Sequence, residues 1–125
     1  MNDLPKPLKG AVFYEDSKVY CCLANSHITK GQVIVVWKKK VKDLHYLKMM
    51  DYEHLMDVVD EVRDVMLKVL KVKKVYLLYM DEVNHVHWHL VPVYNKKGLL
   101  VFDNKPRKLD DLSLVEKLRK RMCTF

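Results

Sequence analysis

Residues 85–91 read His-Val-His-Trp-His-Leu-Val, so three histidines alternate with apolar residues. Successive side chains of a β-strand point to opposite faces, and a strand through this stretch would place His85, His87 and His89 on one face, about 6.7 Å apart. The intervening apolar residues would share the other face. We therefore predict that the imidazoles open into one solvent-accessible pocket, whereas the apolar residues pack against the core.

This alternating row needs a cause, because six histidines in 125 residues would produce it by chance in roughly 1 of 100 such sequences. A purely structural cluster would have to satisfy three imidazoles on one sheet face, which is costly without partners. A metal site could add a carboxylate from Asp81 or Glu82, but no second His or Cys cluster completes a four-ligand zinc site. We favour a phosphate site, because imidazoles near neutral pH bind oxyanions, attack phosphorus and transfer protons.

Apolar and β-branched runs elsewhere predict the rest of a sheet. The predicted strands cover residues 11–15, 18–23, 33–37, 74–80 and, through the histidine row, 85–94. The four residues 81–84 are short enough to join the last two strands as a hairpin.

A long amphipathic helix is predicted from Asp51, a plausible N-cap. Its length is about 30 Å at 1.5 Å per residue, so its apolar stripe should lie across a sheet. We expect His54, on its first turn, to be exposed. The stripe comprises Leu55, Val58, Val59, Val62, Val65, Met66 and Val69.

The remaining segments complete one predicted domain, residues 1–125. Residues 1–10 form an N-terminal arm with two prolines, and residues 103–125 form a C-terminal extension that ends in a short basic helix, predicted at 110–122. The predicted architecture is α+β: an antiparallel five-stranded sheet with one long helix on a face and a short C-terminal helix.

The composition is that of a folded protein, with 50% hydrophobic and 31% charged residues. No apolar run is long enough to span a membrane, and no secretory leader is recognisable at the N-terminus, so we expect a cytoplasmic protein without a membrane partner. Cys21, Cys22 and Cys123 have neither zinc-binding nor redox spacing and are interpreted as reduced thiols. The net charge of +7 favours anionic ligands such as nucleotides, RNA or phosphate esters, although the lysine clusters are also compatible with solvated surfaces.

Residues 85–91 resemble the signature of the histidine-triad family, His-φ-His-φ-His-φ-φ, where φ is apolar. The predicted order of elements is also similar, and the resemblance covers roughly residues 11–102. It implies a protein that binds nucleotides and hydrolyses a bond at the α-phosphate, releasing a nucleoside monophosphate. The resemblance assigns the nucleophile to His87. It also implies that His85 and His89 orient His87, bind phosphate oxygens and help the leaving group, with no metal or other cofactor.

Three positions depart from the family pattern. Many members carry a fourth histidine after the glycine that precedes the central strand, whereas here Gly31 is followed by Gln32, which can donate a hydrogen bond to nucleotide but cannot titrate. The acidic residue that often holds the ribose would fall on Ala24. A short loop, residues 81–84, stands where better-known branches have a Gly-rich one.

The resemblance leads to the substrate class and to an alternative. We expect a nucleoside phosphoramidate or a dinucleoside polyphosphate, cleaved through a nucleotidyl-histidine intermediate. The alternative is a catalytically weak nucleotide- or RNA-binding module of the same fold. The family resemblance also suggests a homodimer joined through the long helix and its neighbouring strand, and a monomer remains compatible with the sequence.

Overall fold

The computed structural model describes residues 4–122 and confirms the α+β architecture. These residues contain two α-helices, seven strands and two short 3-10 helices, Leu44–Tyr46 and Gly98–Asp103. In chain order the main elements are β1 (Val12–Glu15), β2 (Val19–Leu23), β3 (Ser26–His27), β4 (Val33–Trp37), α1 (Met49–Leu70), β5 (Lys74–Tyr79), β6 (His87–Val93), β7 (Arg107–Lys108) and α2 (Ser113–Arg121). None of the helices described is long and apolar enough to cross a membrane.

The predicted five-stranded sheet has the order β1-β2-β4-β6-β5, and every neighbouring pair is antiparallel. Strand β6 lies between β4 and β5, with Ile34 opposite His89 and Val36 opposite His87. Several strand bounds differ from the sequence prediction by one residue, and two differences are larger. Strand β6 begins at His87 rather than His85. A separate two-stranded sheet, β3 with β7, joins the C-terminal extension to the loop before β4, and its strands of two residues are too short to leave a periodic pattern.

Helix α1 buries the predicted apolar stripe against the sheet. Its six residues from Leu55 to Met66 are buried, whereas Val69 at the end of the stripe is only partly buried. The helix begins at Met49, two residues before the expected N-cap Asp51. Asp51 therefore lies in the first turn, where a carboxylate interacts favourably with the helix dipole, and it pairs with Lys18 at 3.0 Å.

His54 is half-buried and paired, so the prediction that it is exposed was wrong. Its Nε2 lies 2.8 Å from Oδ2 of Asp16, and the Tyr14 hydroxyl donates to the same oxygen at 2.8 Å. Burial acts to raise the pKa of the Asp16 carboxyl, but its hydrogen bonds outweigh burial and hold that pKa below its ordinary value. This cluster joins the β1–β2 turn to the start of α1.

The sheet has apolar residues on both faces. The main core lies largely between α1 and the sheet, and the cysteines of β2, Cys21 and Cys22, are both buried with free thiols, as predicted. Burial raises the pKa of Cys22 to about 12. Cys123 lies outside the described residues. On the other face, Val91, Val93 and Val101 form a smaller cluster with Ile28 and Tyr76 packed against it.

The C-terminal helix is shorter than predicted. Helix α2 runs from Ser113 to Arg121 within the predicted range 110–122, and it buries Val115 and Leu118. The Arg119 side chain donates to the backbone oxygen of Val12 at 2.9 Å, at the β1 edge of the sheet. A charged side chain therefore occupies one backbone acceptor on this edge strand.

Candidate functional site

The two faces of β6 separate packing from chemistry. Val86 and Leu90 are fully buried in the core beneath α1, and Trp88 packs against the same core with its ring 5.1 Å from that of Tyr79. On the opposite face, the ring centroids of His87 and His89 are 5.0 Å apart at an interplanar angle of 72°. The alternation predicted from the sequence thus brings two of the three histidines into direct contact.

The hydrogen bond of His87 fixes which ring nitrogen is available for chemistry. Its Nδ1 lies 2.6 Å from the backbone oxygen of His85. A carbonyl oxygen can only accept, so Nδ1 carries the proton and the neutral ring keeps an unprotonated Nε2. His87 therefore presents Nε2 as a nucleophilic lone pair, and its ring orientation is held by the backbone two residues earlier.

His85 lies in a bend just before β6, and its ring is anchored to the end of β4. Its Nε2 donates to the backbone oxygen of Trp37 at 2.6 Å, which leaves Nδ1 as the acceptor nitrogen of the neutral ring. The Trp37 N–H also donates to Val86 at 3.1 Å. The backbone carbonyl of His85 in turn accepts the hydrogen bond from His87, so the two residues are linked.

A chain of hydrogen bonds through Gln32 determines the tautomer of His89. The Ile28 N–H donates to Oε1 of Gln32 at 2.9 Å, so the amide nitrogen of Gln32 faces Nδ1 of His89, at 3.2 Å. Because an amide nitrogen can only donate, Nδ1 accepts and the proton of the neutral ring is on Nε2. Burial, and secondarily the charge of His87, lowers the pKa of His89 to about 4. His89 is therefore a neutral hydrogen-bond donor at physiological pH.

Gly31 explains why Gln32 reaches this position. Its φ is +91°, and a Cβ there would lie 3.1 Å from a methyl group of Leu70. Only glycine adopts this backbone conformation without strain and leaves room for Leu70. The Gln32 side chain is then buried beneath the loop, at 6% exposure.

The prediction that all three histidines are solvent-accessible was wrong for His87, which is only 4% exposed. A cavity of about 1080 Å³ is lined by Gln32, but by none of the three histidines. The predicted site residue Gln32 therefore separates the cavity from His89.

Sequence reasoning missed the backbone groups that orient the site. The carbonyl groups of Trp37 and His85 and the N–H of Ile28 carry no side-chain signal, and only the fold places them. The loop 81–84 closes as a turn in which the Asn84 N–H donates to Asp81 at 2.8 Å. Within residues 4–122, no group of three or more His, Cys, Asp or Glu side chains is arranged to hold a metal ion.

Comparisons with known proteins concern the family and the fold. The model of the HIT domain matches residues 6–96. A hypothetical histidine triad nucleotide-binding protein from Sulfolobus tokodaii is 24% identical, with a TM-score of 0.69 over 91% of this chain and 81% of that one. A Zn-bound histidine triad family protein from Mycobacterium smegmatis is 19% identical, with a TM-score of 0.70 over 89% and 82%.

A third solved structure shares the fold at lower identity. A Hit-like protein from Bartonella henselae, described as involved in cell-cycle regulation, is 16% identical, with a TM-score of 0.74 over 90% of this chain and 86% of that one. No curated protein matches the chain in sequence. Residues 97–125, which include β7 and α2, lie beyond the matched domain.

Proposed function

This chain belongs to the HIT-domain family, and from that premise we propose that it is a nucleotidyl hydrolase whose nucleophile is Nε2 of His87. The hydrogen bond from His87 Nδ1 to the His85 carbonyl carries the proposal. It holds the ring in the tautomer that a nucleophile requires, before substrate binds, so no proton has to leave Nε2 for attack.

The proposed reaction has two steps. His87 Nε2 forms a bond to the α-phosphorus while the bond from phosphorus to the leaving group breaks. Water then attacks the same phosphorus, the P–N bond breaks, and a nucleoside monophosphate and free His87 are released. In the intermediate His87 keeps its Nδ1 proton, and the His85 carbonyl accepts the hydrogen bond from the resulting cationic ring.

His89 and His85 have different proposed roles. With a pKa of about 4, His89 is neutral at pH 7 and binds a phosphate oxygen through its Nε2–H rather than supplying a proton to the leaving group. Gln32 contributes to nucleotide binding by holding His89 in that tautomer. His85 keeps its Nε2–H on the Trp37 carbonyl, so it contacts a phosphate oxygen and protonates a leaving group through Nδ1, in the form of the ring that carries a proton on both nitrogens.

The substrate class is a nucleoside phosphoramidate or a dinucleoside polyphosphate. The test is a panel of both classes, assayed for released nucleoside monophosphate with the unmodified protein and with His87→Gln. Hydrolysis of at least one class, abolished in the variant, supports the proposal. Absence of hydrolysis across the panel contradicts it.

One observation favours a second candidate, a catalytically weak nucleotide- or RNA-binding module. His87 is 4% exposed, which limits the access of a substrate phosphate to its ring. The discriminating result is nucleotide binding without turnover in the same panel.

We also propose a homodimer and a cytoplasmic location. Strand β5 is an edge of the five-stranded sheet, and Leu77 and Met80 at that edge are 41% and 44% exposed. A second copy packed on α1 and β5 would cover these apolar side chains. Sedimentation of a Leu77→Lys/Met80→Lys variant tests this, because the variant should be monomeric. The reduced thiols of Cys21 and Cys22 favour the cytoplasm.

A further inference from the structure

Two cavities meet beside the candidate site and form a continuous basic surface. The first, about 1080 Å³, is the cavity beside Gln32, and the second, about 890 Å³, lies next to β5. Both are lined by Tyr94 and Asn95, so the two cavities adjoin at these residues. We call this combined surface the basic track.

The basic track accounts for the whole net charge of the chain. The first cavity is lined by Lys30, Lys96, Lys105, Arg107 and Lys108, together with two aspartates. The second is lined by Lys71, Lys73, Lys74 and Lys97 and by no acidic residue. These are nine of the 23 basic and two of the 16 acidic residues, so the rest of the sequence has fourteen of each.

The two aspartates neutralise only one end of the first cavity. Lys30 lies 3.7 Å from Asp111, and Asp110 is adjacent in sequence. Arg107 and Lys108 belong to β7, which pairs with β3 and so faces the loop that carries Gln32. The C-terminal extension beyond the matched HIT domain therefore supplies three of the five cations of this cavity.

Two tyrosines give the basic track aromatic surface. The Tyr94 hydroxyl donates to the Lys30 carbonyl at 2.5 Å, and the Tyr76 hydroxyl accepts from the Gly98 N–H at 2.8 Å. Hydroxyl groups held in this way fix the position of each ring. Tyr94 remains 44% exposed at the junction of the two cavities, where a nucleobase could stack on it.

We propose that the basic track binds single-stranded nucleic acid, with the lysines contacting the phosphodiester backbone and Tyr94 stacking on a base. Concave cavities of this volume favour a flexible strand over a flat anionic membrane, which could not reach their lining. Gln32, which donates to His89, lines the first cavity. A strand bound in the track therefore lies next to the proposed nucleotide site, and its binding does not depend on hydrolysis.

The test measures fluorescence anisotropy of a labelled ten-nucleotide oligouridylate over a range of salt concentrations. Two triple variants remove charge from the two ends of the track: Lys73→Gln/Lys74→Gln/Lys97→Gln and Lys96→Gln/Lys105→Gln/Arg107→Gln. The matched control, Lys9→Gln/Lys48→Gln/Lys120→Gln, removes three exposed cations that line neither cavity. Circular dichroism verifies that each protein is folded.

We expect each track variant to weaken binding at least about tenfold and to reduce the salt slope by about 2, since each phosphate contact on a single strand contributes about 0.7. The control should change affinity less than about threefold. The single variants Lys73→Gln and Lys105→Gln should each weaken binding about two- to fivefold. They replace a triple variant that does not fold. His87→Gln should bind the strand normally, which separates this proposal from the proposed hydrolysis.

Three results would overturn the proposal. One is equal weakening by the control and the track variants, which would indicate a non-specific effect of net charge. Another is sensitivity to only one of the two track variants, which would mean that the cavities are not one site. The third is that anionic vesicles or duplex DNA, but not the single strand, bind in a manner sensitive to the track variants.

Discussion

The two faces of β6 come from one alternating sequence but are held in place by different forces. On the α1 face, Val86 and Leu90 are fixed by apolar packing with a helix whose own stripe is visible in the sequence. On the other face, the rings of His87 and His89 are oriented by a carbonyl group and by the Gln32 amide. The strand pattern therefore determines which face a side chain takes, whereas hydrogen bonds determine the orientation and tautomer of the imidazoles.

The largest expected effect is on the chemical face, at His87. His87→Gln removes the nucleophile and keeps a side chain of similar size, so turnover should fall by at least about 10⁴-fold. His85→Ala and His89→Ala should cost less, about 10²- to 10⁴-fold, as expected for single positioning or acid-base groups. Initial rates of monophosphate release measure both, and His45→Ala, which changes an exposed histidine outside the row, should match the unmodified protein.

The apolar face should respond in stability rather than in chemistry. Leu90 is fully buried beneath α1, so Leu90→Ala should lower the free energy of unfolding by about 2 to 5 kcal/mol. Urea denaturation followed by circular dichroism measures this loss. Leu99→Ala, which truncates a leucine that is 84% exposed, is the matched control, and equal losses in the two variants would mean that the face of β6 beneath α1 is not a packed core.

Acid should lower the free energy of unfolding through the protonation of His89. Its pKa is about 4 when folded and about 6.5 ordinarily, so between these values the unfolded chain binds a proton that the folded chain does not. Stability is therefore fully present above pH 6.5 and falls towards pH 4, by at most about 3 kcal/mol. His89→Gln should flatten the dependence of unfolding free energy on pH in this window, and an unchanged slope in the variant would show that His89 is not the group responsible.

The smallest effect is expected at Gln32. Gln32→Leu keeps most of the volume but leaves Nδ1 of His89 and the Ile28 N–H without their partners. The tautomer of His89 is then no longer fixed, and turnover should fall about 10- to 100-fold. Gln32→Glu separates the two contacts of Gln32, because a carboxylate accepts from the Ile28 N–H but cannot donate to Nδ1 of neutral His89. A turnover in Gln32→Leu equal to that of the unmodified protein would remove Gln32 from the site.

The fold was largely predictable because its signals are local. The alternation in 85–91 and the stripe from Leu55 to Met66 each report burial in their own sequence. The pairings of β1 with β2 and of β5 with β6 follow from short connections, whereas β4 pairs with β6 across α1 and β5 and has no local signal. The β3–β7 sheet was not predictable, since it joins residues about eighty positions apart through strands of two residues. His54 was misjudged for a similar reason: its partner, Asp16, lies in another element.

The residues of the candidate site could be proposed from the sequence, whereas their accessibility could not. The histidine row and Gln32 were identifiable because their spacing is a property of one strand and one loop. The strand alternation predicts which face His87 takes but not what packs over that face. Only the folded chain therefore shows that His87 is 4% exposed.

The proposed mechanism requires that His87 become covalently attached to the nucleotide. The direct measurement mixes the protein with a substrate from the active class, quenches within milliseconds without acid, and locates the adduct by mass spectrometry of the digested protein. We predict a nucleoside monophosphate attached to His87 and to neither His85 nor His89, formed and lost at rates compatible with turnover. Two results would contradict the covalent mechanism and indicate direct attack by water. One is hydrolysis at the normal rate with no adduct, and the other is hydrolysis by folded His87→Gln at the rate of the unmodified protein.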